Sequence, residues 1–307
     1  MAGDYRASHP RLFALIERAQ RSPPLTTAVV FPHDAASLRA AIDASLAGLI
    51  YPVFYGSEAR IRALADPSLS IPGVLHETGE SANDAARAAV ADAGAGRVQV
   101  LMKGSLHTDE LLAPAVARGS PIRGCGRITH TFVFDLPRYH KLLAVTDAVI
   151  NIAPDVRIKS EAITNALQLL NSLGVHAPKV AIVAAIETVN ANIPATLDAT
   201  ELVALARRGR FGSAIVEGPL GFDNAISALA ALAKGIASAV AGDPDLIVVP
   251  DLNSGNMLYK SFVYVGGGEC AGLVQGALVP IILTSRTDSQ FSRIASCALA
   301  RIASPET

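Results

Sequence analysis

The sequence predicts an α/β fold in which parallel strands alternate with helices that cover both faces of the sheets. Short apolar runs recur along the 307-residue chain, and amphipathic segments with helical spacing lie between most of them. Some of the runs, such as Leu246–Val249, are apolar at every position, which is typical of parallel strands buried on both faces. Together these observations predict sheets built from strand–helix–strand units.

The predicted strands share a short run rich in apolar residues. In chain order they are Thr27–Phe31, Ile50–Tyr55, Val98–Met102, Thr131–Phe134, Ala148–Ile152, Lys179–Val183, Ser213–Val216, Leu246–Val249 and Ile281–Leu283. Two helices stand out between and after them. Ile158–Leu173 has apolar residues at three- and four-residue intervals and is followed by Gly174, which suits a helix C-terminus. A second helix is predicted from Phe291 to Arg301.

Composition narrows the class of protein. Hydrophobic residues make up 50% of the chain and charged residues 17%, with a formal net charge of -1. These values argue against disorder, and they give no indication of a nucleic-acid or membrane-surface partner. The N-terminus has no signal-peptide pattern, and no apolar stretch is long enough to span a bilayer. A soluble, cytoplasmic protein is therefore predicted.

The cysteines do not indicate a metal site. Cys125, Cys270 and Cys297 lack metal-ligand spacing, and an odd count without a pairing pattern fits a reducing compartment. We interpret them first as small core residues and second as reactive thiols. The sequence also lacks the G-x-S-x-G pattern of a serine hydrolase and the G-x-G-x-x-G pattern of a dinucleotide site.

Ligands of parallel sheets bind beyond the carboxyl ends of the strands, so polar segments that follow strands are the candidate functional segments. After Leu283 come hydroxyl groups, including Ser285, and then Arg286 and Asp288. A helix start suits an anion, Arg286 can bind phosphate through two parallel hydrogen bonds, and Asp288 is a candidate general base. The alternative is that Asp288 or Thr287 caps the helix and Arg286 forms a surface ion pair.

A second candidate segment follows Val249. It contains Ser254 and Gly255, and Asn256 and Lys260 lie one helical turn apart, so both can face one ligand. The alternative is an ordinary strand-to-helix turn capped by Asn253 or Ser254.

A third segment begins with Lys103 and Gly104 after a strand and reaches Thr108. Its chemistry resembles a phosphate-binding loop, but the P-loop spacing is absent. His107 in this segment is more often structural than catalytic. A fourth segment, Glu217–Ala225, forms a Gly/Pro turn in which Asp223 can cap the next helix.

Taken together, these segments resemble the phosphate acetyltransferase/phosphate butyryltransferase family. Order and spacing are kept from about Val98 to the C-terminus. The matching segments are Met102–Gly104 with Thr108, Thr129–Phe132, Thr146–Ala148, Asn151–Asp155, Pro178–Ala181 with Glu187, Glu217–Leu220 with Asp223 and Ala225, Lys234–Ile236, Ala241–Asp243, Pro250–Leu252, Gly255-Asn256 with Tyr259-Lys260, and Thr284–Arg286. Glu217 replaces the family's Asp. The Met-Lys-Gly and Ser-Arg-x-Asp-Ser segments are nearer the butyryl branch.

The resemblance implies a two-lobed fold like that of isocitrate and isopropylmalate dehydrogenases, with mainly parallel sheets and an active site in the interlobe cleft. It places residues 1–112 plus 271–307 in the first lobe and residues 113–270 in the second. It also implies a homodimer. The implied reaction transfers an acetyl or butyryl group between coenzyme A and inorganic phosphate. Coenzyme A is then a substrate, and no tightly bound cofactor or metal is expected.

Residue roles carry over from the same resemblance. Ser285 and Arg286 match the family's Ser-Arg pair and are expected to bind phosphate and stabilise the tetrahedral state. The resemblance places the proposed base of the acetyl branch near position 292, but Ser292 is not a carboxylate, so Asp288 is the candidate base. The expected substrate-binding residues are Lys103, Gly104, Thr108, Ser254, Gly255, Asn256 and Lys260.

Two other functions stay open at this stage. One is an NAD(P)-dependent oxidoreductase of the related fold acting on a hydroxy acid, although the metal-binding aspartates and dinucleotide site of that class are not visible in the sequence. The other is a non-catalytic homologue that binds coenzyme A. The sequence does not set the acyl-chain length, because one methylene changes selectivity by only about 1–3 kcal/mol.

Overall fold

A computed structural model describes residues 2–65, 71–285 and 287–304. The chain forms two compact units, Met1–Ile128 with Cys270–Thr307 and Thr129–Glu269. The first boundary lies later than the expected position 112. The intervening segment packs within the first unit: Ile122 is buried, its carbonyl accepts the Leu278 N–H at 2.8 Å, and Gly124 lies against the Gly276 carbonyl.

The strands are numbered in chain order. They are β1 (Leu25–Val30), β2 (Ile50–Gly56), β3 (Val74–Glu77), β4 (Val100–Lys103), β5 (Thr129–Asp135), β6 (Leu143–Thr146), β7 (Lys179–Val183), β8 (Ile215–Leu220), β9 (Leu246–Val248), β10 (Glu269–Gln275) and β11 (Ile281–Ile282).

The helices are numbered in the same way. They are α1 (Ala2–Ser8), α2 (Pro10–Ala19), α3 (Ala35–Leu46), α4 (Glu58–Leu64), α5 (Ala82–Gly94), α6 (Thr108–Val116), α7 (Val156–Ser172), α8 (Pro194–Arg207), α9 (Phe222–Ile226), α10 (Ala228–Ala233), α11 (Leu252–Lys260) and α12 (Gln290–Ala303), with a π-helical turn at Ser261–Val265. Within the described residues, no helix has the length and apolar character needed to cross a membrane.

In the first unit the strand order is β3-β2-β1-β4-β11-β10, and all neighbours pair in parallel except β10 with β11. Val30 pairs with Lys103, and Met102 pairs with Ile282. The loops that follow β1, β4 and β11 therefore leave the sheet side by side at its carboxyl edge.

In the second unit the order is β5-β6-β9-β7-β8. Strands β6, β9, β7 and β8 are parallel, and β5 is antiparallel to β6. The central strands β6, β7 and β9 are almost wholly buried apolar residues, which agrees with a sheet covered on both faces. The predicted α/β class with mainly parallel sheets is confirmed.

One predicted strand is wrong. Residues 148–152 form a turn, and the strand lies just before them, at Leu143–Thr146. The buried Asp147 carboxylate accepts the N–H groups of Val149 and Ile150 at 3.0 Å and of Asn151 at 3.3 Å. Amides bonded to a side chain in this way are not free for a strand ladder.

Candidate active site

In the first unit, the loop after β4 is bonded to the loop after β1. The Gly104 N–H donates to the Val30 carbonyl at 2.9 Å, and the N–H and hydroxyl of Ser105 donate to the Phe31 carbonyl at 2.9 and 2.8 Å. The His33 N–H in turn donates to the Ser105 Oγ atom at 3.1 Å. These bonds fix the backbone immediately after Lys103.

Gly104 is required by this close approach. A Cβ atom at position 104 would lie 2.3 Å from the Val30 carbonyl oxygen and 2.5 Å from that of Phe31. Those two contacts are with backbone, so any side chain would force the two loops apart. Gly104 therefore shapes the loop that presents Lys103, which is half-buried, and Thr108, the first residue of α6.

The loop after β11 folds back on itself. The Asp288 Oδ2 atom accepts the Ser285 N–H at 2.6 Å, and the Ser285 and Thr287 hydroxyls lie 3.0 Å apart. Ser289 caps α12 by accepting the Ser292 N–H, so neither Asp288 nor Thr287 is the cap. Arg286, the expected phosphate ligand, lies outside the described residues.

Arg293 holds this loop in place, a role that no sequence pattern predicts. Its guanidinium is buried and donates to three carbonyls: Nε to Asp288 at 3.3 Å, Nη1 to Ala36 at 3.0 Å and Nη2 to Ser285 at 3.1 Å. From the sequence alone it is one arginine on an amphipathic helix. The three acceptors are backbone atoms brought together by the fold, and no residue pattern marks them.

Ser292 has a structural role. Its hydroxyl is buried and accepts the Cys270 N–H at 3.1 Å, while the Ser296 hydroxyl, one turn later, accepts the Gly272 N–H at 3.0 Å. The position where the acetyl branch has a base therefore serves to attach α12 to β10.

In the second unit, the turn after β9 is a capping box. The Asp251 Oδ1 atom accepts the Ser254 N–H at 2.8 Å, and the Ser254 hydroxyl lies 3.3 Å from the Asp251 N. The expected cap, Asn253 or Ser254, is thus corrected to Asp251, with Ser254 completing the box. The Ser254 hydroxyl also contacts the Asp251 carbonyl at 3.0 Å, which gives Ser254 a role in the turn itself.

Gly255 permits α11 to pack closely on its own unit. A Cβ atom there would lie 2.8 Å from the Val249 Cγ2 atom and 2.9 Å from the Ala148 Cα atom. Asn256 follows at intermediate exposure, and Lys260 is exposed one turn later. The structure therefore keeps Asn256 and Lys260 on one side of α11, available to a ligand.

Polar groups follow each of the four parallel strands of the second unit. Asp147 follows β6, Asp251 follows β9, Glu187 follows β7 and Asp223 follows β8. The Lys234 ammonium bridges Glu187 at 3.1 Å and Asp223 at 3.0 Å. Its hydrogen bonds hold the pKa values of both carboxyls below their usual range, whereas burial raises the pKa of Asp147.

His130, in the Thr129–Phe132 segment of β5, is fully buried, and neither ring nitrogen has a hydrogen-bond partner among the described residues. Its ring lies 4.3 Å from that of Phe132, which stacks on Tyr259 of α11 at 4.4 Å. Burial lowers the pKa of His130 to about 3, so the imidazole stays neutral at physiological pH.

The two units thus carry different chemistry at the carboxyl edges of their sheets. The first carries Lys103 after β4 and the hydroxyls of Ser285 and Thr287 after β11, and a cation with hydroxyl groups suits an oxyanion. The second carries the four carboxylates named above and, on α11, Asn256 and Lys260. Among the described residues, no group of three or more His, Cys, Asp or Glu side chains is arranged to hold a metal ion.

Comparison with known proteins relates these features to a family. Residues 73–301 match the family described as phosphate acetyl/butaryl transferase. The chain is 45% identical to a phosphate acetyltransferase of Rhizobium meliloti, over 94% of this chain and 92% of that protein. It is 30% identical to a phosphate butyryltransferase of Clostridium acetobutylicum, over 90% and 92% of the two chains.

Solved structures agree on the fold. A branched-chain phosphotransacylase from Enterococcus faecalis V583 superposes with a TM-score of 0.80 at 27% identity, covering 91% of this chain and 99% of that one. A 4-hydroxythreonine-4-phosphate dehydrogenase from Klebsiella pneumoniae superposes with a TM-score of 0.54 at 16% identity, over 91% of this chain and all of the other. The latter likeness concerns the fold alone, and it agrees with the predicted resemblance to a dehydrogenase fold.

Replacing His130 by Phe should flatten the acid dependence of stability. The unfolded histidine binds a proton near pH 6.5, whereas the buried ring does not until about pH 3, so the unfolded state gains protons as pH falls. Between pH 7 and pH 5 this linkage destabilises the native protein by about 2 kcal/mol, and His130→Phe should remove that loss. Urea unfolding at pH 7 and pH 5 measures the free energy of unfolding of the wild type and of His130→Phe. An equal loss of stability in both proteins would contradict the lowered pKa of His130.

Proposed function

The chain belongs to the phosphate acetyl/butyryl transferase family, and we infer that it transfers a short acyl group between coenzyme A and inorganic phosphate. The observation that carries this inference is the 45% identity to a phosphate acetyltransferase over 94% of the chain. It is supported by the family match over residues 73–301. Coenzyme A is a substrate in this reaction.

The reaction is an acyl exchange that balances without an oxidant or reductant. A base removes the thiol proton of coenzyme A, and the sulfur forms a bond to the carbonyl carbon of the acyl phosphate. The tetrahedral state then expels phosphate with the electron pair of the broken carbon–oxygen bond. In the opposite direction a phosphate oxygen attacks the thioester, and the thiolate leaves and is reprotonated. The catalytic requirements are a base, an anion site and donors to the carbonyl oxygen.

We assign phosphate binding to the first unit. Ser285 and Arg286 are proposed to bind the phosphate and stabilise the tetrahedral state, because charge develops there and a guanidinium can donate two parallel hydrogen bonds. The loop that carries Lys103 and Gly104 leaves the sheet beside the Ser285 segment, because β4 and β11 pair in parallel. This supports a role for Lys103 and Gly104 in the same anion site. Thr108 is proposed to contribute its hydroxyl.

Asp288 is proposed as the base, with a second role in loop closure. One of its carboxylate oxygens, Oδ2, accepts the Ser285 N–H at 2.6 Å. This hydrogen bond supports the role in loop closure. The role as base follows from the family resemblance and from the position of Asp288 two residues after Arg286, and substitution can separate the two roles.

In the second unit, Asn256 and Lys260 are proposed to contact substrate, and Ser254 and Gly255 to shape the turn that presents them. The basis is the exposure of Asn256 and Lys260 on α11 together with the capping box at Ser254 and the close packing at Gly255.

A homodimer is proposed from the family resemblance. Large apolar side chains of the second unit support it, because Leu229, Leu232 and Val265 are 79%, 75% and 88% exposed in the single chain and an interface would cover such groups. Light scattering should give twice the chain mass of 31.8 kDa. A mass equal to one chain at micromolar concentration would contradict the dimer.

A cytoplasmic location is also proposed. All three cysteines are free, and Cys125 is exposed, which suits a reducing compartment. Cell fractionation tests it, and recovery in the membrane or extracellular fraction would contradict it.

The reaction class should be visible as phosphate-dependent release of thiol. Acetyl-, propionyl- and butyryl-coenzyme A are each incubated with the enzyme and phosphate, and free thiol is measured with a chromogenic reagent. We expect release that requires phosphate, with the order of the three rates giving the acyl preference. Arg286→Ala should lower kcat by about 10²- to 10³-fold, as for loss of one transition-state donor. The exposed Arg208 on the second unit supplies the control Arg208→Ala, which should behave as wild type.

No phosphate-dependent release from any of the three thioesters by folded protein would refute the proposed function. Release with normal kinetics in Arg286→Ala would keep the function and remove that residue from the site.

Asp288→Asn should lower the rate of acyl transfer from acyl phosphate to coenzyme A, and the loss should be greatest near neutral pH. The amide oxygen can still accept the Ser285 N–H, so the loop is kept while the base is lost. A cysteine thiol has an ordinary pKa of about 8.5, and we expect the thiol of coenzyme A to ionise without a base in the same range. The loss of rate in Asp288→Asn should therefore shrink between pH 7 and pH 9.

Asp288→Ala provides the comparison, because it removes the base and the hydrogen bond together. We expect it to be impaired at every pH in that range. If Asp288→Asn shows a constant deficit across pH, Asp288 acts through the loop alone, and the base is another group.

A further inference from the structure

A basic cluster lies at the far end of α12 from the Ser285–Asp288 loop. There a cavity of about 250 Å³ opens between the C-terminal ends of α2 and α12. Its lining residues are Arg18, Ala19, Arg21, Ser22, Arg301, Ile302 and Ser304. Within the described part of the chain, this lining includes three guanidinium groups and no carboxylate.

Arg301 is the unusual member of this cluster. It is only 5% exposed, and its Nε–H has no hydrogen-bond partner among the described residues. A guanidinium remains charged under all physiological conditions, and an unsatisfied buried donor is costly. An anion in the cavity would supply the missing acceptor.

The negative ends of the two helix dipoles offset part of the positive charge of the arginines, but an excess of positive charge remains. A helix C-terminus carries roughly half a negative charge, so the two ends together offset about one positive charge. Arg18 has a further interaction of its own. Only the positive charges of Arg21 and Arg301 are therefore counted against the helix ends. Those two alone exceed the helix ends by about one positive charge, and Arg18 adds donors to the same cavity.

We propose that this cavity is a binding site for a compact phosphate-bearing anion, separate from the catalytic loop. Guanidinium groups match phosphate oxygens in pairs, and the Ser22 hydroxyl adds a neutral donor, whereas the Ser304 hydroxyl donates to the Ala300 carbonyl at 2.9 Å. The cavity has about the volume that eight water molecules occupy in the liquid. This space fits pyrophosphate or a small phosphorylated acid. From Ser289 to Arg301 the helix rises about 18 Å, so one compact anion cannot reach both ends. The inference does not rest on the proposed acyl transfer.

Pyrophosphate is the probe, and calorimetric titration of the full chain is the measurement. Because the catalytic loop can also bind an anion, every variant is made in an Arg286→Ala background. One pyrophosphate should still bind in that background. Arg21→Gln, at an exposed position, should weaken it by roughly 10- to 100-fold, as for loss of a charge-assisted hydrogen bond. Arg301→Gln should do the same if it folds, and Arg208→Gln on the second unit should not.

Three results would overturn the proposal. They are no binding in the Arg286→Ala background, equal affinity in Arg21→Gln and Arg208→Gln, and displacement of bound pyrophosphate by coenzyme A in competition. The last would make the cavity part of the substrate site. Because each readout is binding, a failure here is distinct from a failure of the acyl-transfer assay.

Discussion

The candidate site of the first unit depends on one buried guanidinium. Arg293 binds the carbonyls of Ser285 and Asp288, at both ends of the loop after β11, and the carbonyl of Ala36 in the first turn of α3. A guanidinium spreads five donors over three nitrogens of a planar fork and so reaches three separate carbonyls, whereas the three donors of an ammonium radiate from a single nitrogen. The loop is therefore held by a side chain from the following helix as well as by its own hydrogen bonds.

Parallel pairing brings the remaining groups to that loop. Because β1, β4 and β11 are neighbours in register, residues distant in sequence leave the sheet together, and Gly104 lets two of their loops meet at backbone distance. The second unit repeats the arrangement with different chemistry, since a carboxylate follows each of its four parallel strands. Two of these carboxylates, Asp147 and Asp251, accept hydrogen bonds from backbone amides and so order the turns in which they lie. Asn256 and Lys260 on α11 are at least partly exposed.

Hydrophobic pattern was enough to predict the fold class and most strands, because a buried parallel strand needs a continuous apolar run. It failed at residues 148–152, which are as apolar as a strand but whose amides are bonded to Asp147. It also could not distinguish Ser254 as part of a capping box from Ser254 as a ligand, since both need a hydroxyl there. Arg293 and His130 gave no signal of their environment, because their neighbours are backbone atoms and aromatic rings assembled only by the tertiary structure.

The most direct measurement is the steady-state kinetics of Arg293→Lys with phosphate and acyl-coenzyme A as varied substrates. Lysine keeps the charge, but its three donors sit on one nitrogen and do not reproduce the bonds that leave Nε, Nη1 and Nη2 of Arg293. We expect a folded protein whose kcat falls by about 10²-fold, as for a misplaced catalytic loop, with a raised KM for phosphate and an unchanged KM for acyl-coenzyme A. Wild-type kcat and phosphate KM in Arg293→Lys would contradict it. An equal rise in both KM values would show that Arg293 supports the unit in general and not this loop.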